Sequence, residues 1–160
     1  MLPISLAFVL TGVFFVLGAC TEGRIEGEKP ETLTSAYDEK EMDLAIEKAR
    51  DRVEEFLVIF ERGDADSFAI KVPITDTHGT EHFWLTDITY DDGSFTGRIG
   101  NDPGIVKGVT FGQSWTVKKG ELSDWMYVRG DRIHGGFTIE ALLPSFPPEQ
   151  AEAIRAQLVR

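Results

Sequence analysis

The spacing of apolar residues changes at Asp66, and this change limits the possible folds more than any other feature of the sequence. From Tyr37 to Arg62 the apolar residues recur at steps of three and four, which places them on one face of a helix. After Asp66 they recur at steps of two, which is typical of strands with one buried face. One long amphipathic helix is therefore predicted over residues 37–62, with a sheet after it.

The remaining elements complete an α+β fold. Apolar stretches separated by turn residues predict the strands, which read SFAIKVPIT, HFWLTDITY, SFTGRIG, SWTVKK and DWMYVRG continuing to RIHGGFT. The prolines at Pro147-Pro148 predict the start of a short C-terminal helix. We therefore expect the long N-terminal amphipathic helix to pack on a meandering antiparallel sheet of about five strands.

Two short turn sequences predict the register of the first strands. A turn at His78-Gly79 would place Val72 opposite Leu85, and it would put Asp87 on the same apolar face.

A second turn, at Asp92-Gly93, would place Tyr90 opposite Phe95 and Asp87 opposite Arg98. An acid on an apolar face needs a partner, so Asp87 and Arg98 are predicted to form a structural ion pair. In that case Arg98→Ala would destabilise the fold by a few kcal/mol. The alternative is that Asp87 takes part in catalysis.

The beginning of the chain is predicted to be a targeting segment. Residues 1–19 contain no charged side chain and are followed by the only cysteine, Cys20. The residues Leu17-Gly18-Ala19-Cys20 resemble the lipobox of bacterial lipoproteins. That resemblance implies that the Cys20 thiol is acylated and that the segment before it is removed. An uncleaved membrane anchor and a free buried thiol are the alternatives.

These assignments divide the chain into three parts. Residues 1–19 are the predicted signal peptide, residues 20–36 are the lipidated cysteine with a flexible polar tether, and residues 37–160 are a single α+β domain. The predicted location is the bacterial cell envelope, with the lipid-anchored domain facing the periplasm or the exterior. Thr21 stands where an inner-membrane retention signal would carry Asp, which favours the outer membrane.

The net charge and the cysteine count exclude several classes of partner. The formal net charge is −11, and every charged side chain follows Cys20. An acidic domain of this kind is not suited to bind the phosphates of nucleic acid or to lie flat on anionic lipid. A single cysteine also excludes a disulfide framework and cysteine-based zinc sites.

Four aromatic residues form the candidate binding surface: Trp84, Tyr90, Trp125 and Tyr127. Strict alternation would place Trp84 and Tyr90 together, on the face opposite Phe83. Apolar residues on both sides of one strand indicate either a strand covered twice or the lining of a groove. Covering by the first helix and a ligand groove are therefore the two interpretations of this face.

No catalytic, cofactor or metal motif is recognisable. The spacing of His78 and His82 would suit a metal only on a helix, whereas here it spans a predicted turn, so no metal site and no cofactor are predicted. If Gly130-Asp131 is a turn, His134 lies opposite Tyr127. The enzyme alternative is a periplasmic hydrolase using Asp87, Asp124 and His134.

Several short motifs, taken in order, resemble the YegJ-like family of bacterial proteins, a domain of unknown function. They are His82-Phe83-Trp84-Leu85, Phe95-x-Gly97, Asn101-Asp102-Pro103, Asp124-Trp125-Met126-Tyr127 and Gly135-Gly136-Phe137-Thr138. The resemblance covers about residues 65–142. It implies no reaction, cofactor or catalytic residue, and it suggests that envelope lipoproteins and soluble forms share one domain.

The sequence therefore predicts a membrane-tethered envelope lipoprotein that acts as a non-catalytic binding or accessory module. Its partner would be a protein or a small molecule, bound through the aromatic surface because aromatic side chains supply contact area at low entropy cost.

Overall fold

The computed structural model describes residues 37–159, which form four α-helices and a six-stranded sheet. The helices are α1 Glu39–Asp51, α2 Val53–Arg62, α3 Phe137–Leu142 and α4 Pro148–Gln157. The strands are β1 Ser67–Asp76, β2 Gly79–Asp91, β3 Ser94–Ile99, β4 Ser114–Lys118, β5 Asp124–Arg129 and β6 Arg132–Gly135. The predicted α+β class with an antiparallel sheet is confirmed, with six strands in place of about five.

The predicted signal peptide, Cys20 and the tether lie outside the described residues. Within residues 37–159, none of the helices is long and apolar enough to cross a membrane.

Two helices follow one another where the sequence predicts a single long one. The side chain of Asp38 caps α1 by accepting hydrogen bonds from the amides of Lys40 and Glu41, at 2.9 and 3.3 Å. Arg52, with φ −103° and ψ 9°, separates α1 from α2. Gly63 ends α2 in the left-handed conformation, which glycine adopts without a steric penalty.

The sheet has a helical layer on each face, and its strands run in the order β4-β3-β2-β1-β5-β6. The first face, covered by α1 and α2, carries the main core, in which Phe56 of α2 contacts both Phe95 and Trp125. The second face carries a smaller cluster of Ala69, Trp84, Met126 and Ile139, with Ile154 of α4 packed against it. The helices α3 and α4 thus contribute to covering the second face.

The turn between β1 and β2 lies one residue earlier than the sequence predicts. Each residue of β1 therefore pairs with the β2 residue two positions before the predicted one. Its turn residues are Thr77 and His78, and the amide of His78 donates to the Asp76 carboxylate at 2.7 Å. Val72 consequently lies opposite Phe83, and not opposite Leu85 as predicted. Because the register differs by two, each side chain keeps its predicted face of the sheet.

The predicted ion pair between Asp87 and Arg98 is wrong, because β2 contains a bulge. The register with β3 shifts between Thr86 and Thr89, so Arg98 lies opposite Thr86. Asp87 is exposed in this bulge with φ 48°. The Arg98 guanidinium is also exposed, and it donates to the carbonyl of Gly112 at 3.1 Å.

The bulge also reverses the faces beyond it. Tyr90 lies opposite Phe95, as predicted, with the two ring centroids 4.6 Å apart. Both residues belong to the first face, whereas Trp84 belongs to the second. The prediction that Trp84 and Tyr90 share a face is therefore wrong, since one extra residue between them changes the alternation.

The long connection between β3 and β4 is bound to the first hairpin through two carboxylates. The fully buried Glu81 accepts the amides of Gly104, Ile105 and Val106 at 2.9, 2.9 and 3.2 Å. Asp76 accepts the amide of Lys107 at 2.7 Å. Hydrogen bonds from the Lys107 and His78 amides lower the pKa of Asp76 to about 2.

Candidate functional site

Trp84 does not belong to a binding surface, which corrects the sequence prediction. Only 6% of its area is exposed, because the α3 and α4 side of the molecule covers it through Ile139 and Ile154. Its indole Nε1 has no acceptor within residues 37–159. The first helix, which was predicted to cover this residue, lies on the other face.

The other three predicted residues lie on the first face, but only two of them are close together. Tyr90 packs on Phe95 at the β3 side of the sheet. Trp125 and Tyr127 lie on β5, on the other side of β1. Their surroundings, and not the predicted set of four, form the candidate site.

Three nearly parallel rings form the floor of this site. Tyr127 lies opposite His134, as the turn at Gly130-Asp131 predicts, and their ring centroids are 4.5 Å apart with planes 8° from parallel. The rings of Trp125 and Tyr127 are 6.4 Å apart and 2° from parallel. Tyr127 and His134 are half-buried, so their rings are partly accessible to solvent. Trp125 is only 2% exposed, so it supports the other two rings and offers a ligand almost no contact area.

An open cleft of about 440 Å³ lies over these rings, and we call it the aromatic cleft. Its lining consists of Arg52, Glu55, Val58, Ile59, Trp125, Tyr127, His134, Gly135, Phe137 and Val159. The helix α2 forms one wall, which carries the exposed apolar residue Val58. Val159 is a second exposed apolar residue in the lining. A partly apolar concavity with a few polar groups is the usual form of a small-molecule site.

Trp125 is held in the floor by its neighbours. Its indole Nε1 donates to the carbonyl of Ala49 in α1 at 2.8 Å. Gly135 has φ +80°, and a Cβ there would lie 2.3 Å from the Trp125 carbonyl oxygen and 2.5 Å from its ring. Glycine at this position is therefore required for the indole to lie against β6.

Two positive side chains lie at Phe137, a residue of the cleft lining. The Lys48 ammonium and the Arg52 guanidinium lie 4.9 and 5.4 Å from the centroid of the Phe137 ring. Arg52 also forms an exposed ion pair with Glu55 at 2.7 Å.

Two further arginines lie near the rings on β5 and β6. The Arg129 guanidinium is 5.7 Å from the Tyr127 ring centroid and pairs with Asp64 at 2.9 Å. Arg132 donates to the carbonyls of Ala156 and Leu158 at 2.9 and 3.3 Å. Partial burial, together with the charges of Arg129 and Arg132, lowers the pKa of His134, which favours the neutral form of its ring.

Asp124, a residue of the hydrolase alternative, is enclosed in a network of hydrogen bonds that stabilises the fold. It is fully buried and accepts the amide and hydroxyl of Thr138 at 2.8 and 2.6 Å, and the amides of Trp125 and Phe137 at 2.8 and 3.2 Å. Lys71, also buried, donates to the Thr138 hydroxyl at 3.1 Å. Burial raises the pKa of Asp124 and lowers that of Lys71 to about 8.

The three residues of the hydrolase alternative do not come together in the described part of the chain. Asp87 is exposed in the β2 bulge, Asp124 is enclosed at the start of α3, and His134 lines the aromatic cleft. No hydrogen bond links any two of them in residues 37–159.

The histidines predicted not to bind metal occupy separate environments. His82 is buried, with its Nδ1 2.8 Å from the Ser123 hydroxyl, and burial lowers its pKa to about 3 with help from the charges of Lys71 and Arg50. His78 lies in the exposed turn. No group of three or more His, Cys, Asp and Glu that could hold a metal ion occurs among residues 37–159.

Comparison with known proteins identifies the family. Residues 39–158 match the family described as an uncharacterized protein conserved in bacteria, DUF2314. The chain belongs to this family. This match covers more of the chain than the predicted YegJ-like resemblance does. The match and the first relative below together confirm that resemblance.

The chain is also similar to two bacterial proteins. The chain is 53% identical over 128 residues to the uncharacterized protein YegJ of Escherichia coli strain K12, covering 80% of this chain and 84% of that protein. It is 35% identical over 89 residues to a Neisseria meningitidis serogroup B protein that is named as an ankyrin repeat protein, covering 53% of this chain and 35% of that protein. No solved structure matches the chain.

Sequence reasoning missed the walls of the aromatic cleft. Arg52, Glu55 and Val58 lie on the outer side of a helix, where they look like ordinary surface residues. Phe137 reaches the site because two left-handed residues, Gly135 and Gly136, precede it. The consecutive glycines were the available signal, since such a pair indicates a sharp change of chain direction or a close approach.

Proposed function

We propose that this protein is a binding module held at a bacterial membrane by lipidated Cys20, and that the aromatic cleft is its ligand site. The observation that supports the proposal is an open cleft of about 440 Å³ whose floor is a set of nearly parallel rings. Rigid aromatic side chains give a large contact area without much loss of rotamer freedom.

A binding role accounts for the polar residues better than hydrolysis does. The Asp124 carboxylate already accepts hydrogen bonds from Thr138, Trp125 and Phe137. Its oxygens therefore bind the start of α3 and are not available to a substrate. A general base must reach the proton that it removes, and among the described residues His134 stacks on Tyr127 and lies near Arg129 and Arg132, with no carboxylate to orient it.

The proposed membrane anchor depends on the sequence of the first residues. An uncharged run followed by Leu17-Gly18-Ala19-Cys20 supports acylation at Cys20, and two or more acyl chains suffice for stable anchoring. The domain would then face the periplasm or the exterior, with the outer membrane favoured. Mass spectrometry of the detergent-extracted protein is expected to show a cleaved, acylated chain, and Cys20→Ser is expected to prevent both changes. An intact leader on the wild-type protein would contradict the anchor.

The ligand site is tested with indole as a neutral probe. We expect millimolar indole to shift the backbone NMR signals of Tyr127, His134 and Gly135 in the soluble domain. Val58→Trp places a large side chain on the cleft wall and is expected to weaken the response at least about tenfold.

Leu44→Trp is the matched control, because Leu44 and Val58 are exposed helix residues with 48% and 46% of their area accessible. Leu44 does not line the cleft, so its variant is expected to respond to indole as the wild type does. Signal changes spread evenly over the domain, or an equal response of both variants, would overturn the proposed site.

A further inference from the structure

We propose that the aromatic cleft selects a planar anion, such as an aromatic carboxylate, over neutral and cationic molecules of the same shape. This inference rests on the proposed function, since it names the ligand class of the same cleft. It follows from the ring geometry, from the positive charges around the cleft, and from the exposure of the ion pair on its wall.

The rings favour a flat ligand. Tyr127 and His134 are stacked within 8° of parallel and are half-buried, so a flat molecule can pack on their exposed ring area in the offset arrangement that aromatic pairs prefer. The exposed apolar side chains Val58 and Val159 can cover the edges of such a molecule. These contacts explain a planar shape but not a charge preference.

The charges around the cleft favour an anion. Among residues 37–159, Glu55 is the only carboxylate in the cleft lining, and Arg52 pairs with it. Lys48 has no ion-pair partner in the described part of the chain, and Arg132 donates to backbone carbonyls, so both charges add to a positive field. This positive region lies on a chain with a formal net charge of −11, and a local field of this kind attracts anions to the cleft.

The carboxylate of a ligand can replace Glu55 as the ion-pair partner of Arg52. Side-chain exposures of 45% and 58% place the pair in solvent, where ion pairs are weak. A guanidinium binds carboxylates through two parallel hydrogen bonds, and these strengthen when an apolar ligand excludes water. Glu55 therefore occupies the position that the carboxylate of a bound planar anion would take.

The test compares three naphthalene compounds by NMR titration of the soluble domain: 2-naphthoate, 2-naphthamide and 2-(aminomethyl)naphthalene. We expect 2-naphthoate to bind about tenfold more tightly than the amide, and the amine to bind most weakly. The difference between acid and amide is expected to shrink at high salt.

Three variants separate the guanidinium from the overall charge. Glu55→Gln removes the competing carboxylate and is expected to tighten 2-naphthoate binding several-fold. The double variant with Arg52→Gln and Glu55→Gln keeps the wild-type net charge and is expected to lose most of the preference for the acid. Arg62→Gln, on the same helix but outside the cleft lining, is expected to change the preference little.

Each outcome decides between the two proposals. Equal binding of acid and amide in the cleft, or tighter binding of the amine, would overturn the charge preference and leave the ligand site standing. Absence of any response at Tyr127 and His134 to all three compounds would overturn both. A Glu55→Gln variant that binds 2-naphthoate more weakly would also overturn the inference.

Discussion

The two faces of the sheet differ in whether their polar side chains are buried or exposed. On the second face, Lys71 and Asp124 are buried and share the hydroxyl of Thr138 as a hydrogen-bond partner. On the first face, at the aromatic cleft, Arg52 and Glu55 form a direct ion pair that is exposed to solvent. Polar groups enclosed with their partners stabilise one structure, whereas exposed groups remain available to a ligand.

The largest expected effect concerns the enclosed face. Asp124→Ala removes the acceptor of the Trp125, Phe137 and Thr138 amides, and it removes the carboxylate charge that acts on the buried Lys71. We expect the free energy of unfolding to fall by about 3–5 kcal/mol, as measured by urea denaturation.

Asp91→Ala is the control for this prediction, because Asp91 is an exposed residue of β2. Its effect is expected to stay within about 0.5 kcal/mol. Adding Lys71→Met to Asp124→Ala should recover part of the loss, because it removes a buried charge. If the two aspartate variants were equally stable, the enclosed network would have no structural role.

The second prediction concerns the floor of the aromatic cleft. Gly135 and Gly130 both have positive φ, but a Cβ at Gly135 would meet Trp125 at 2.3 Å, whereas nothing lies within 4 Å of one at Gly130. Gly130→Ala should therefore cost only the backbone strain, about 1 kcal/mol. Gly135→Ala should cost about 1–3 kcal/mol more and abolish the response to indole. Equal unfolding free energies would show that Trp125 moves aside freely.

The third prediction uses pH to compare a buried histidine of the sheet with an exposed one in a turn. Burial lowers the pKa of His82 from 6.5 to about 3, so the unfolded chain binds more protons between these values and stability falls as the pH falls. We expect His82 to account for a loss of about 2 kcal/mol between about pH 7.5 and pH 5.

His82→Gln removes this titration and should flatten the stability curve over the same pH range. His78→Gln, in the exposed turn, is the control and should keep the wild-type slope. Urea denaturation at several pH values gives both slopes. A slope for His82→Gln that matches the wild type would mean that His82 does not titrate as its burial predicts.

The smallest expected effect corrects a prediction from the sequence. Arg98→Ala would have cost a few kcal/mol if Asp87 and Arg98 were a buried pair. The guanidinium is instead exposed and donates to the Gly112 carbonyl. We expect the thermal midpoint to change little, corresponding to about 0.5 kcal/mol or less. A larger loss would indicate that this hydrogen bond anchors the connection before β4.

Alternation and turn residues predicted those features that depend on neighbouring positions. The pairs of Tyr90 with Phe95 and of Tyr127 with His134 follow from two turns, and both are present. The bulge at Asp87 could not be predicted, because an inserted residue leaves a sequence that still alternates on both sides of it. Its consequence, opposite faces for Trp84 and Tyr90, was missed with it.

The aromatic cleft depends on contacts between distant parts of the chain. The helix α2, the strands β5 and β6, and Val159 meet there, and no local pattern specifies how they are placed. The sequence could therefore predict aromatic residues on β5, but not that Arg52, directly before α2, and Glu55 of α2 would lie beside them. Long-range packing decides such sites, which is why Trp84 was included in the predicted surface and Phe137 was not.

The contacts of Glu81 change how the connection between β3 and β4 should be regarded. This segment has neither helix nor strand, and such segments are normally where deuterium enters quickly and proteases cut first. Here one buried carboxylate accepts three consecutive amides, from Gly104 to Val106, so their hydrogens are held as firmly as those of a sheet. In mechanical terms, this stretch of chain moves with the first hairpin and behaves as a rigid extension of it.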